Sequence, residues 1–196
     1  MPHYFDFTVS LQDVLPRPWR RFLVTDRASF AVLHSAIQDA CGWTNSHLYE
    51  FRETGAYNHE AIAGLRLEDG DDDLTGPLAD ASTTKLKAYF GADLFTTALY
   101  LYDFGDGWTH DVQLNDVVTL RETFPRRLLG GEHAFPPDDS GGPTGYQEIQ
   151  KALRTGDDPE QLLEWASSVW GWTGTFDLDA ARARFAARRR RRTRSS

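Results

Sequence analysis

The stretch from Tyr100 to Leu114, YLYDFGDGWTHDVQL, constrains the fold more than any other part of the chain. One alternating run leads into Gly105-Asp106-Gly107 and a second leads out. Asp-Gly between two such runs is a strong hairpin signal, because glycine takes positive φ at little cost. The pattern predicts a strand over 98–104 and a return strand over 108–114. On the return strand Trp108, His110, Val112 and Leu114 share one face, while Thr109, Asp111 and Gln113 share the other. A sheet with one apolar face needs a second layer to cover it.

The remaining periodicities supply that layer. Phe5, Phe7, Val9 and Leu11 alternate with Asp6, Thr8 and Ser10, as in a half-buried strand. Pro16 and Pro18 delay a second strand until Trp19–Val24. Ser29 reads as an N-cap for a helix with Phe30, Leu33, Ile37 and Cys41 on one stripe, and Gly42 suits its left-handed stop. A strand follows over 47–52. Strand, strand, helix, strand is the order of a β-grasp opening. Towards the C-terminus, Thr144 with Gln147 forms a capping box, and Asp158-Pro159 with Gln161 repeats the device. A third helix starts near Asp177. The expected fold is α+β: a mixed or antiparallel sheet, an early packed helix and three C-terminal helices.

Charge divides the 196 residues unevenly. Residues 1–181 carry 13 basic and 29 acidic side chains, a net −16, whereas residues 182–196 carry eight arginines and no acid. The expectation is therefore a single domain over 1–181 and a disordered arginine-rich tail over 182–196. Six Trp, seven Tyr and twelve Phe exclude a chain without a core, and one cysteine excludes a disulfide scaffold. No apolar run approaches the roughly 18 residues of a membrane span, and the N-terminus lacks a signal-peptide core. A soluble, cytoplasmic protein is expected, with no membrane partner. The segment over 68–84 is acidic and poor in apolar residues, as a surface loop is. Asp69, Asp71, Asp73 and Asp80 fall on calcium-hand positions, but Leu74 replaces the required glycine and the bidentate glutamate is missing.

Three kinds of chemistry remain. The arginines Arg188, Arg189, Arg190, Arg191, Arg192 and Arg194 suit phosphate contacts that read no sequence, so nucleic acid is one candidate partner. Trp19, Trp43, Tyr102 and Trp108 offer a docking surface for a protein partner. Asp103, Asp106 and His110 are the candidate catalytic groups. His47, Asp106, His110 and Asp139 are the candidate ligands for a divalent metal, because carboxylates with imidazoles hold such cations or move protons. No resident cofactor is expected. Each candidate also has a structural role: Asp106 fits the turn, His110 lies on an apolar face, and Asp138 and Asp139 precede glycines. His34 reads as packing. Cys41 sits on an apolar stripe, which makes it a poor nucleophile. No nucleophile elbow or phosphate-cradling glycine loop occurs.

WRRFLV from Trp19, LHSAIQDACGW from Leu33, SHLYEF from Ser46, YLYDFGDGWTH from Tyr100 and FPPDDSGGPTGY from Phe135 occur in that order. This series resembles the plasmid pRiA4b ORF-3-like family from about Tyr4 to Phe185. The resemblance implies a protein of plasmids, transposable elements and microbial chromosomes, in an accessory or binding role. A metal-dependent hydrolase centred on Asp103, Asp106 and His110 is the alternative. Many relatives carry cysteines around the Pro-Pro element, where this chain has Arg127, Phe135 and Ser140. Thiolate ligation of zinc is therefore excluded at that loop, and a metal there depends on carboxylates and imidazoles.

Overall fold

The structure is a computed structural model that describes residues 1–55, 60–65, 78–91 and 93–186. Its centre is a seven-stranded sheet: β1 (His3–Leu11), β2 (Trp19–Thr25), β3 (Tyr49–Glu53), β4 (Ala61–Gly64), β5 (Thr97–Tyr102), β6 (Trp108–Thr119) and β7 (Arg126–Glu132). The spatial order is β4-β3-β5-β6-β1-β2-β7, and every ladder between these strands is antiparallel. The opening follows the grasp-like order. Its first strand, however, has antiparallel neighbours on both sides, β2 and β6.

One face of the sheet buries Phe5, Phe7, Phe22, Phe51, Tyr100, Trp108 and Leu114. Helix α1 (Phe30–Cys41) lays Phe30, Leu33 and Ile37 into that face and stops at Gly42, whose φ is 89°. The short α2 (Leu86–Phe90) adds Leu86 and Phe90. The layer is completed by α3 (Gly142–Thr155), α4 (Leu162–Trp170) and α5 (Leu178–Ala186). An α+β fold with one early helix and three C-terminal helices follows from the sequence pattern. No helix among the described residues is long and apolar enough to cross a membrane.

Two helix starts differ from expectation. Helix α3 begins at Gly142 behind a left-handed Gly141, with Pro143 in its first turn, so Thr144 lies inside the helix. The first residue of α4 is Leu162. The Asp158 carboxylate reaches forward to accept the amides of Leu162 and Leu163 at 2.8 and 2.9 Å, so it caps α4 from four residues upstream. The tail boundary moves as well. Phe185 is buried against Phe22, which keeps α5 docked through Ala186, so Arg182 and Arg184 are helical. Arg188 to Arg192 and Arg194, with Asp69, Asp71 and Asp73, lie outside the described residues.

Candidate functional site

Three loops meet at one end of the sheet: 42–48 between α1 and β3, the 103–107 hairpin between β5 and β6, and 135–141 ahead of α3. The hairpin loop is longer than the sequence pattern predicts, spanning 103–107 instead of 105–107. Strand β5 ends at Tyr102, Asp103 turns left-handed at φ 55°, and Phe104 is exposed. Asp103 Oδ1 accepts the amide of Gly105 at 3.0 Å, while its own amide donates to Leu48 O. These bonds orient Asp103 Oδ2 towards His47, whose Nε2 lies 3.5 Å away. The same Nε2 lies 2.7 Å from Asp139 Oδ1, and Asp139 is also left-handed, at φ 57°. Aspartate is one of the few side chains that enters this region readily, so both turns follow from the residue type. His47, Asp103 and Asp139 thus present one ligand atom each, all within 4.8 Å of one another. His47 also lines a cleft of about 500 Å³ with His34, Asn45, Tyr49 and Leu65.

The loop that carries His47 is fixed by a closed ring of hydrogen bonds. Asn45 N donates to Gln38 Oε1, and Gln38 Nε2 donates to the Tyr100 hydroxyl, at 2.9 and 3.0 Å. The hydroxyl lies 2.7 Å from His34 Nδ1, and His34 Nε2 lies 2.5 Å from Asn45 Oδ1. One assignment satisfies every atom: the Tyr100 hydroxyl donates to Nδ1, and a neutral His34 donates from Nε2. Burial lowers the His34 pKa to about 4, and its ring stacks on Tyr49 at 3.5 Å. The expected packing role of His34 therefore includes holding this loop.

A buried carboxylate joins the loops. Asp138 Oδ2 accepts from Thr44 N at 3.1 Å, from Thr44 Oγ1 at 2.6 Å and from the Tyr102 hydroxyl at 3.4 Å. The Tyr102 hydroxyl in turn accepts from Ser46 N. Burial, and then the Asp138 charge, push the Tyr102 pKa up to about 12. Trp43 donates to Pro136 O at 2.9 Å and stacks on Tyr102.

Several expected site residues take other places. His110 is fully buried, edge-on to Trp43 and stacked on Phe135, and burial lowers its pKa to about 3. It belongs to the core because it sits on the apolar face of β6, so it does not join the carboxylates. Asp106 does not join them either: its Oδ2 accepts the amide of Gly141 at 3.0 Å, tying the hairpin to the start of α3. Asp103, Asp106 and His110 therefore do not form one centre. Trp43, Tyr102 and Trp108 are buried at 2%, 0% and 0% exposure, because they floor the loop cluster. Of the four aromatic docking candidates, only Trp19 reaches the surface, where it donates to Glu132. Sequence reasoning missed the structural role of Asp138, which its position before glycines hid. It also missed Arg20, although this residue alternates with Phe22 and Val24 on the apolar face of β2 and is only 2% exposed.

A curated relative, the uncharacterized protein y4hQ of Sinorhizobium fredii (strain NBRC 101917 / NGR234), is 38% identical over 179 residues, 90% of this chain and 84% of the relative. A crystal structure of a protein of unknown function, MM3350 from Methanosarcina mazei Go1, matches with a TM-score of 0.76 at 29% identity. It covers 91% of this chain and 96% of its own. The plasmid pRiA4b ORF-3-like protein family matches residues 3–183. A match over almost the whole chain, together with these two relatives, places this chain in the plasmid pRiA4b ORF-3-like family.

Proposed function

We propose that the protein is a binding protein that holds a divalent cation at His47, Asp103 and Asp139. One observation carries this reading: three loops distant in sequence bring an imidazole nitrogen and two carboxylate oxygens within 4.8 Å of one another. A tetrahedral ion with bonds of about 2.0 Å spaces its ligands roughly 3.3 Å apart. The contacts of 2.7 and 3.5 Å around His47 Nε2 bracket that spacing. A mixed nitrogen and oxygen set suits Zn²⁺ or Mn²⁺ better than Ca²⁺, which favours all-oxygen shells. Zn²⁺ and Mn²⁺ titrated calorimetrically into chelator-treated protein test the site. The expected result is one equivalent of one of these ions, with His47→Ala and Asp139→Asn each weakening binding at least tenfold. Asp106→Asn should leave affinity unchanged, since the Asp106 carboxylate is not a ligand and an amide oxygen there can still accept from Gly141 N. A wild type that takes up neither ion removes the reading.

A second reading rests on charge in the sequence. Arg188 to Arg192 and Arg194 follow a body of net −16, so any affinity for nucleic acid concentrates in the tail. Such contacts would be independent of sequence and strongly salt-sensitive. Full-length protein titrated into labelled DNA and RNA at two salt concentrations should lose affinity steeply at the higher one. Replacing the six arginines with glutamine should abolish binding. Equal binding by both forms would remove the tail from the account.

A further inference from the structure

A second cleft, of about 500 Å³, lies between the end of α1, the end of α4 and the 171–177 segment ahead of α5. At its base is Arg20, 2% exposed. Its Nε donates to Ala40 O at 3.0 Å, and its Nη1 contacts the carbonyls of Trp19, Glu132 and His133 at 2.7, 3.0 and 3.0 Å. Nη2 makes no hydrogen bond among the described residues, and Arg20 has no carboxylate partner there. Its guanidinium instead lies against the rings of Phe176 and Phe135, at 3.6 and 4.8 Å. Burial, with the nearby Arg184 adding to it, lowers the Arg20 pKa to about 10, which still leaves it charged at neutral pH. A buried charge without a counter-ion is costly, and proteins rarely keep one without a use for it.

The rest of the lining adds to the same field. Arg184 folds over Gly42 and makes no ion pair among the described residues. Trp170 Nε1 is a buried donor without an acceptor among the described residues. The Cys41 thiol, pushed up to about 12 mainly by burial, is neutral. Asp177 is the one acid in the lining, and its Oδ1 accepts the amides of Asp179 and Ala180 at 2.9 Å each, as the cap of α5. Two guanidinium groups and an indole N–H thus line one concavity on an acidic body. Trp170, Trp172 and Phe176 supply flat apolar surface, and the volume lies within the usual range for small-molecule sites, about 300–1,000 Å³.

We propose that this cleft binds a small phosphate monoester, with the oxyanion between Arg20 and Arg184 and an aromatic body against the tryptophans. This site lies apart from the His47 cluster and does not depend on the cation reading. AMP and phenyl phosphate, their neutral counterparts adenosine and phenol, and inorganic phosphate are titrated into the full-length protein by calorimetry at about 0.15 M salt. One of the esters should bind at one equivalent, at least tenfold more tightly than its neutral counterpart and than inorganic phosphate. Arg184→Glu, an exposed substitution, should weaken that binding at least tenfold without lowering the unfolding midpoint. Binding unaffected by Arg184→Glu would place the phosphate elsewhere, the arginine tail included, and overturn the proposal. Equal affinity for ester and neutral counterpart, inorganic phosphate binding as tightly as the esters, or no binding of either ester would overturn it as well.

Discussion

The loop cluster around His47 and the cleft around Arg20 use the same aromatic floor in opposite ways. Trp43 and Phe135, packed edge-on, link the two neighbourhoods: Trp43 stacks on Tyr102 beneath the loops, while Phe135 lies under the Arg20 guanidinium. On the loop side, most carboxylate oxygens are matched by donors, although the buried Asp138 Oδ1 has no partner among the described residues. Asp138 accepts from Thr44 and Tyr102, Asp106 from Gly141, and Asp103 from Gly105, so only selected oxygens of Asp103 and Asp139 face His47. On the cleft side, backbone carbonyls take up the Nε and Nη1 donors of a buried cation, and Nη2 has no partner among the described residues. The difference is one of preorganisation: acids whose backbone donors fix their geometry wait on one side, and a cation with unmatched charge waits on the other.

The largest expected effect that sets the two regions apart is their pH dependence. His34 and His110 have folded pKa values of about 4 and about 3, both lowered first by burial, against about 6.5 in an unfolded chain. Below pH 6.5 the unfolded chain binds protons that the folded one refuses, so stability falls as pH falls. The slope is about 1.4 kcal/mol per pH unit for each histidine until its folded pKa is reached. Between pH 7 and pH 5 both groups act throughout the window below 6.5, for a combined loss of about 4 kcal/mol. Urea midpoints at the two pH values measure it. The Asn45–His34–Tyr100–Gln38 ring should loosen first, because it requires a neutral His34, whereas Arg20 titrates near pH 10 and does not change in this window. A flat midpoint would mean that neither histidine is held neutral, and the assignment of donors in the ring would fail with it.

Much of this arrangement can be read in the sequence, and the unread part has a physical cause. Alternation in Tyr4–Leu11 and Trp108–Leu114, and the helical stripe through Phe30 and Ile37, identify elements whose burial is one-sided. Strand β7 carries Arg126, Arg127, Gly130 and Gly131, and it is a strand because β2 pairs with it, a tertiary effect that no local propensity records. His47, Asp103 and Asp139 are each visible as polar residues near turns. Their convergence depends on left-handed backbone at two of them and on Asp138 bridging loops about 90 residues apart. His110 was legible as core from its face of the strand, and it is core. Arg20 was equally legible as an anomaly, a cation on an apolar face, and the reason for it is found only in the cleft it lines.

The smaller effect concerns the joint between the hairpin and α3, on which the loop cluster alone depends. Gly142 has φ 69°, and a Cβ there would stand 2.4 Å from Asp106 O, a backbone atom with nowhere to retreat. Gly142→Ala therefore combines left-handed strain with a clash and should cost about 3 kcal/mol. Relief of that clash moves the 103–107 hairpin away from 138–142, which breaks the Asp106–Gly141 contact and separates Asp103 from Asp139. Cation affinity should fall at least tenfold in protein that is still folded, as near-UV circular dichroism would report. Phosphate-ester binding should persist, since the joint does not line the Arg20 cleft. Loss of both together would mean that the two regions form one mechanical unit through Trp43 and Phe135, and the contrast drawn between them would then be one of charge alone.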